Sequence, residues 1–180
     1  MIILSVDQGI AHFGYAVLEY TENGINLMDY GCFISTIKKS KKKKPISQQR
    51  RMFELMSKFE DLIVKYEPKH IVHERLFFSP PAKNSRKKSA SILNTNMITG
   101  SIWYIAGKHD LEVWQYSPQT VKKSLTGNGR ADKDDIIKQI ESMFDIDCLK
   151  THKEHVCDAI SIGLAHINKT MVGCSTEDEE

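Results

Sequence analysis

The chain begins with the apolar run Ile2-Ile3-Leu4-Ser5-Val6-Asp7, and a similar run follows at His70-Ile71-Val72-His73-Glu74. Each run has the length and the residue types of a buried strand, and each ends on a carboxylate. In α/β sheets, ligands bind in the crevice outside the carboxyl ends of the strands. The two acids therefore predict a shared site at one edge of a sheet.

A third acid, Asp158, lies in the helical segment Glu154-His155-Val156-Cys157-Asp158-Ala159-Ile160. Carboxylates that converge from distant positions are the ligands that hard divalent metals require. We expect Asp7 to bridge the ions, Glu74 to hold one of them, and Asp158 to complete the cluster on the helix face of His155, which serves as a ligand or a proton carrier. Each residue also has a simpler explanation, as a strand-end cap, a helix-start histidine or an acid near a helix N-terminus.

The length of 180 residues suits one domain, which we expect to span 1–172, with a disordered acidic tail at 173–180. No apolar run approaches the roughly 20 residues that cross a bilayer, and no secretory signal is present. We therefore expect a soluble, intracellular protein without a membrane partner.

The four cysteines have no metal-binding spacing, which favours reduced thiols over disulfides or zinc: Cys32, Cys148, Cys157 and Cys174.

Two lysine-rich blocks stand out against a net charge of only +2. The first covers residues 38–44, and the second is Lys83-Asn84-Ser85-Arg86-Lys87-Lys88. Both fall between periodic segments, so we expect exposed loops that can hold a polyphosphate backbone. For the first block, a solvated loop kept extended by self-repulsion is an equally good interpretation.

The remaining pattern predicts an α/β fold. Residues 11–20 and part of 25–37 read as strands around the turn Thr21-Glu22-Asn23-Gly24, and apolar residues recur at helical spacing over 47–66. The later elements are predicted as helix 89–108, strand 111–116 and helices 117–125, 133–144 and 153–168. This order indicates a five-stranded mixed sheet, with three antiparallel strands and then two parallel ones, and helices on both faces.

Three motifs, in this order, resemble the RuvC family of Holliday junction resolvases, within the RNase H-like nuclease superfamily. Ser5-Val6-Asp7-Gln8-Gly9 is similar to its D-x-G signature, and His73-Glu74-Arg75-Leu76-Phe77-Phe78 to its E-x-x-F segment. His155-Val156-Cys157-Asp158-Ala159 is similar to its terminal H/D-x-x-D-A helix. A lone D-x-G is weak evidence, since actin-like phosphate loops contain it. The ordered set covers nearly the whole chain and is specific.

The resemblance implies an RNase H-like fold and a Mg²⁺-dependent endonuclease that places paired symmetric nicks in four-way DNA junctions. It implies two ions per site, with Mn²⁺ as a substitute, and metal ligands at Asp7, Glu74, His155 and Asp158. Some family members have an acid at the position of His155, so direct metal binding by this histidine is an open point.

The resemblance also indicates DNA contacts. Gly9 would permit close backbone approach with a positive φ, although an ordinary turn glycine reads the same way. Phe77 matches an aromatic residue that stacks on or wedges between bases, with core packing as the alternative. Lys122 and Lys133 would contact phosphates, and Lys122 would also offset transition-state charge. Basic residues after Glu74 would add to this surface: Lys83, Arg86, Lys87 and Lys88.

A four-way junction has two symmetric strands to cut, which a two-fold homodimer matches. We expect the interface on the helix near 89–106, whose apolar residues exceed the needs of one sheet, unless all of them pack internally: Ile92, Leu93, Met97, Ile98, Ile102 and Ile105. Other functions compatible with the pattern are cleavage of forks, flaps or RNA-containing duplexes, an inactive junction-binding scaffold, and an actin-like ATPase. The last is disfavoured because the chain is short and has no second phosphate-binding glycine loop.

Overall fold

A computed structural model of the chain describes residues 1–35, 47–75, 86–146 and 152–171, with the backbone alone for 86–92 and 94. The elements run in the order β1 (Ile2–Asp7), β2 (His12–Thr21), β3 (Gly24–Ile34), α1 (Gln48–Tyr66), β4 (His70–Glu74), α2 (Arg86–Lys108), β5 (Glu112–Tyr116), α3 (Pro118–Thr126), α4 (Lys133–Met143) and α5 (Lys153–Thr170). Every predicted strand and helix is found, and α2 begins three residues earlier than predicted. No helix within these ranges is long and apolar enough to cross a membrane.

The five strands form one mixed sheet in the order β3-β2-β1-β4-β5. β1 and β3 pair antiparallel with β2, whereas β4 pairs parallel with both β1 and β5. The predicted five-stranded sheet is therefore confirmed. The parallel register sets Val6 opposite His73, so the carboxyl ends of β1 and β4 lie side by side.

Side-chain alternation assigns the two strand-end acids to the same face of this sheet. Val6 lies in the apolar cluster that packs on α1 and α2, whereas Val72 lies in the cluster that packs on α3 and α5. Successive strand residues point to opposite faces. Asp7 follows Val6 directly and Glu74 is two residues beyond Val72, so both acids belong to the α5 face. Helices cover both faces, as predicted.

Two glycine positions allow the backbone of α5 to approach the sheet closely. A Cβ atom at Gly163 would lie 2.3 Å from the Leu18 side chain and 2.7 Å from the hydroxyl oxygen of Ser5. A Cβ atom at Gly14 would lie 2.1 Å from the backbone carbonyl oxygen of His155. Because no side chain fits at either position, α5 can rest directly on β1 and β2.

A buried polar chain ties the other end of α5 to β4 and β5. The Tyr116 hydroxyl lies 2.9 Å from Nδ1 of His166, and Nε2 of His166 lies 2.8 Å from Nδ1 of His70. Burial lowers the pKa of His166 to about 4, so its ring is neutral and can accept from Tyr116 while donating to His70. The helix that carries His155 and Asp158 is thereby fixed along its length.

Candidate active site

The carboxyl edge of the sheet brings together three acids that are far apart in sequence. Asp7 ends β1, Glu74 ends the neighbouring strand β4, and Asp158 lies in the second turn of α5 on the same face. α5 begins at Lys153, as predicted, so Asp158 is near the N-terminus of the helix but beyond its first turn. The fold therefore supports a shared acidic site.

Glu74 and Asp158 are held in surroundings that disfavour their charged forms. Burial, reinforced by the charges of Asp7 and Asp158, raises the pKa of Glu74 to about 7. Burial and the charge of Asp7 also raise the pKa of Asp158. These raised values mean that the acids repel one another across a partly desolvated space. A bound cation would relieve that repulsion.

His155 is hydrogen-bonded to the first acid. Its Nδ1 lies 2.7 Å from Oδ2 of Asp7, and because an ionised carboxylate only accepts, the histidine donates this bond. The His155 ring also stacks on His12 at 5.0 Å between centroids, and the His12 ring lies 4.7 Å from that of His152. This stack orients the imidazole, so a helix-start histidine satisfied by solvent alone does not describe His155.

A cleft of about 320 Å³ opens beside the acids. Its walls include the two acids with raised pKa values and both lysines that were expected to contact DNA phosphates: Glu74, Asp158, Lys122 and Lys133. Acidic and basic groups thus share one concave surface. Such a surface can hold a cation and a phosphate side by side.

The two lysines are fixed in different ways. Nζ of Lys122 donates to the backbone carbonyl of Ala131 at 2.6 Å, in the loop before α4. Nζ of Lys133 lies 3.1 Å from Glu154 and 3.9 Å from Asp158. Lys133 is the first residue of α4, where a positive charge is unfavourable next to the positive end of the helix macrodipole. Its ion pairs with Glu154 and Asp158 offset that unfavourable interaction and connect the lysine to the acidic site.

Gly9 behaves differently from the sequence expectation. It does not have a positive φ, so that part of the prediction was wrong. A Cβ atom at Gly9 would instead lie 2.3 Å from the carbonyl oxygen of His12. The requirement for glycine thus comes from the tight passage of the chain between β1 and β2.

Several residues at the site were not identified from the sequence. Gly14 had a readable signal, since a glycine inside a strand pattern often marks a close backbone approach. His12 had none, because its ring meets His155 only after α5 has docked. Gln8 had none either, because its side chain reaches the backbone carbonyl of Glu74 only across two paired strands, and the His73 ring bonds to the same carbonyl.

Other predicted DNA contacts lie outside the described residues. Phe77, Lys83 and the lysine block at 38–44 belong to segments that the structure does not describe, as does the acidic end at 173–180. Arg86, Lys87 and Lys88 lie at the start of α2, where the backbone alone is described. Their roles stay predictions.

The donor set suits a hard divalent cation, because it offers three carboxylates and one imidazole. In the described ranges, however, no three His, Cys, Asp or Glu side chains lie close enough to hold an ion as they stand. The acids of this site affect one another's pKa values, but their side chains do not converge on a single point. Binding an ion therefore requires these side chains to draw together.

A model of the family Crossover junction endodeoxyribonuclease RuvC matches residues 3–166 of the chain. The chain belongs to the RuvC family. Its relatives include the crossover junction endodeoxyribonuclease RuvC of Caldicellulosiruptor saccharolyticus, 31% identical over 99% of each chain. The protein of the same name from Alkaliphilus metalliredigens is 30% identical over 92% of each.

Solved RuvC structures share the fold. The structure of Thermus thermophilus RuvC superposes with a TM-score of 0.75 at 19% identity, covering 96% of each chain. The same protein in complex with Holliday junction substrate gives a TM-score of 0.75 at 17% identity, covering 96% of this chain and 97% of the other. At these identities the likeness concerns the RNase H-like fold, which agrees with the prediction.

The raised pKa of Glu74 predicts a pH-dependent cost to metal-free stability. The unfolded carboxyl ionises near its ordinary pKa of 4.5, while burial keeps the folded one protonated up to a pKa of about 7, so stability falls as pH rises between these values. We expect Glu74→Gln to raise the free energy of unfolding above pH 7 by about 1–2 kcal/mol, less than the full shift because the group is partly exposed. Urea unfolding in the presence of chelator measures this difference.

The matched control is Glu22→Gln, in the exposed turn between β2 and β3. It removes one carboxylate without touching the site, so its stability difference from wild type should not vary between acidic and alkaline conditions. A Glu74→Gln protein that is equally stabilised at all pH values, or is destabilised above pH 7, would contradict the electrostatic interpretation.

Proposed function

We propose that this protein is a structure-selective endonuclease that resolves four-way DNA junctions by metal-dependent hydrolysis of the phosphodiester backbone. The observation that carries the proposal is the convergence of Asp7, Glu74 and Asp158 on one face of the sheet, beside a cleft lined by lysines. Family membership supports the substrate class. Paired symmetric nicks are the expected product.

We assign Mg²⁺ as the cation, two ions per site, with Mn²⁺ as a substitute. Asp7, Glu74, Asp158 and His155 would hold the ions, and Asp7 would be the ligand shared between them. A divalent cation bound there supplies the Lewis acidity that in-line hydrolysis requires. Burial and the repulsion between the acids raise the pKa values of Glu74 and Asp158, and a bound cation would offset both effects.

The neighbouring residues have separate tasks. His155 holds the Asp7 carboxylate through its Nδ1–H, which fixes the direction of that carboxylate. Lys133 pairs with Glu154 and Asp158. With a cation bound at Asp158, this lysine would be available to a DNA phosphate. Lys122 stands in the same cleft and would offset the charge that develops on the scissile phosphate.

Further DNA contacts extend the site. Gly9 lies in the tight turn directly after Asp7, and its backbone would contact the DNA strand beside the acids. Phe77 would stack on a base at the opened crossover. The cations that follow Glu74 in sequence would bind the arms of the junction through their phosphates: Lys83, Arg86, Lys87 and Lys88.

The direct test is cleavage of a labelled four-way junction beside a linear duplex of the same sequence. With Mg²⁺ we expect paired nicks at the crossover, and none with chelator. Asp7→Asn keeps the size of the side chain but removes the bridging charge, so it should slow cleavage at least about 100-fold. Junction binding should survive, because the cations of the cleft are unchanged.

The exposed turn variant Glu22→Gln should cut as fast as wild type. Equal cutting of the linear duplex would remove the junction selectivity from the proposal. Full activity of Asp7→Asn, or nicking that persists in chelator, would remove the metal mechanism.

We also propose that the protein acts as a homodimer through α2 and the neighbouring part of α1. Three of the predicted interface residues, Ile98, Ile102 and Ile105, are buried within their own chain, so internal packing accounts for them. Other apolar side chains on these helices remain exposed: Phe53, Leu93, Met97 and Tyr104. The groove between the helices has a volume of about 830 Å³ and is lined by three of these four residues. An apolar surface of this kind suits a second copy of the chain.

Substituting the groove should separate the subunits. Met97→Glu places a charge in the middle of the apolar surface and should shift the protein from dimer to monomer in light scattering, with loss of coordinated second-strand cleavage. Val64→Glu is the matched control, since Val64 is equally exposed on α1 but does not line the groove. A wild-type protein that is monomeric at high concentration, both free and bound to a junction, would refute the dimer.

A further inference from the structure

The backbone carbonyl of Glu74 accepts two side-chain hydrogen bonds. Nε2 of Gln8 lies 2.7 Å from this oxygen, and Nδ1 of His73 lies 2.9 Å from it. Glu74 is the last residue of β4. The pairing of β4 with β1 ends one residue earlier, where His73 lies opposite Val6. The two side chains therefore hold the strand end where the ladder with β1 stops.

The protonation of His73 follows from its two partners. A backbone carbonyl can only accept, so Nδ1 of His73 carries the hydrogen. On the other side of the ring, the indole Nε1 of Trp103 lies 3.0 Å from Nε2 of His73. An indole can only donate, so Nε2 carries the lone pair. The chain of bonds runs in one direction, from Trp103 through His73 to the carbonyl of Glu74.

Trp103 connects the strand end to α2. His73 is fully buried, whereas the Trp103 side chain is half exposed, at 50%. Replacing Trp103 by phenylalanine would keep most of the ring contact but leave Nε2 of His73 without a donor. The ring would then be free to rotate or to change tautomer, and its bond to Glu74 would weaken.

Gln8 makes its bond at a cost. It is only 5% exposed, and its Oε1 has no hydrogen-bond partner within the described part of the chain. An unpaired buried acceptor costs about 1–3 kcal/mol. An apolar side chain of similar size would avoid this cost, so stability alone does not account for a glutamine here. What glutamine supplies is the hydrogen bond from its amide N–H to the backbone carbonyl of Glu74.

We infer that Gln8 and Trp103, the latter through His73, are positioning residues that fix the backbone of Glu74 and so aim its carboxylate at the cation shared with Asp7. Two hydrogen bonds on one carbonyl fix the peptide plane after Glu74 and, with it, the direction of its Cα–Cβ bond. Gln8 directly follows Asp7, so the same contact joins the two acid-bearing strand ends. The inference rests on the proposed role of Glu74 as a metal ligand.

The test compares Gln8→Met and Trp103→Phe with wild type. Each should weaken Mn²⁺ binding about 10-fold in calorimetric titration. Gln8→Met also removes the unpaired Oε1, so its metal-free melting temperature should equal or exceed that of wild type. Saturating Mn²⁺ should restore junction cleavage in both variants to within about 3-fold of wild type. A fold defect would lower the melting temperature and would not be rescued by metal.

Trp114→Phe is the matched control, because within the described residues the one hydrogen bond of its indole goes to the exposed Glu112, at 3.3 Å, and phenylalanine keeps an aromatic ring against His70 and His166. It should bind Mn²⁺ like wild type. If wild type binds Mn²⁺ and cuts junctions while Gln8→Met and Trp103→Phe have unchanged affinity, the positioning role is wrong and the proposed function stands. If wild type takes up no Mn²⁺, or Asp7→Asn cuts as fast as wild type, the proposed function fails and this inference fails with it.

Discussion

The burial of neighbouring carboxylates, and the repulsion between them, is the constraint on which the rest of this structure depends. Burial raises the pKa of Glu74 and of Asp158, and the charge of Asp7 beside them raises both further. A domain selected for stability alone would have no reason to gather them. The arrangement becomes favourable when a divalent cation is present, and the same cation is what phosphodiester hydrolysis needs.

The fold resists this repulsion by fixing the elements that carry the acids. Parallel pairing holds the ends of β1 and β4 together. The close contact of α5 with β2 at Gly14 sets the distance between the helix and the sheet. His155 gives Asp7 a hydrogen bond. The hydrogen-bonded chain from Tyr116 through His166 to His70 anchors the C-terminal half of α5 to β4 and β5. These contacts outside the cleft help to hold the acids in place.

The sequence predicted the sheet, the order of the helices and the three acids, because strand periodicity, strand-end acids and helix spacing are local signals. It did not predict the contacts made by His12, Gln8 or Trp103. Each of these side chains meets its partner through tertiary packing, between residues as far apart as 12 and 155. The positive φ expected at Gly9 was wrong for a related reason. The obstacle there is the carbonyl oxygen of His12, which no local pattern indicates.

The most direct measurement is anomalous diffraction from crystals soaked in Mn²⁺. We expect anomalous peaks between the strand ends and α5, with carboxylate oxygens of Asp7, Glu74 and Asp158 about 2 Å from the ions. Peaks only at other surfaces, or a site that stays without metal at millimolar Mn²⁺ while the protein still cuts DNA, would contradict this expectation.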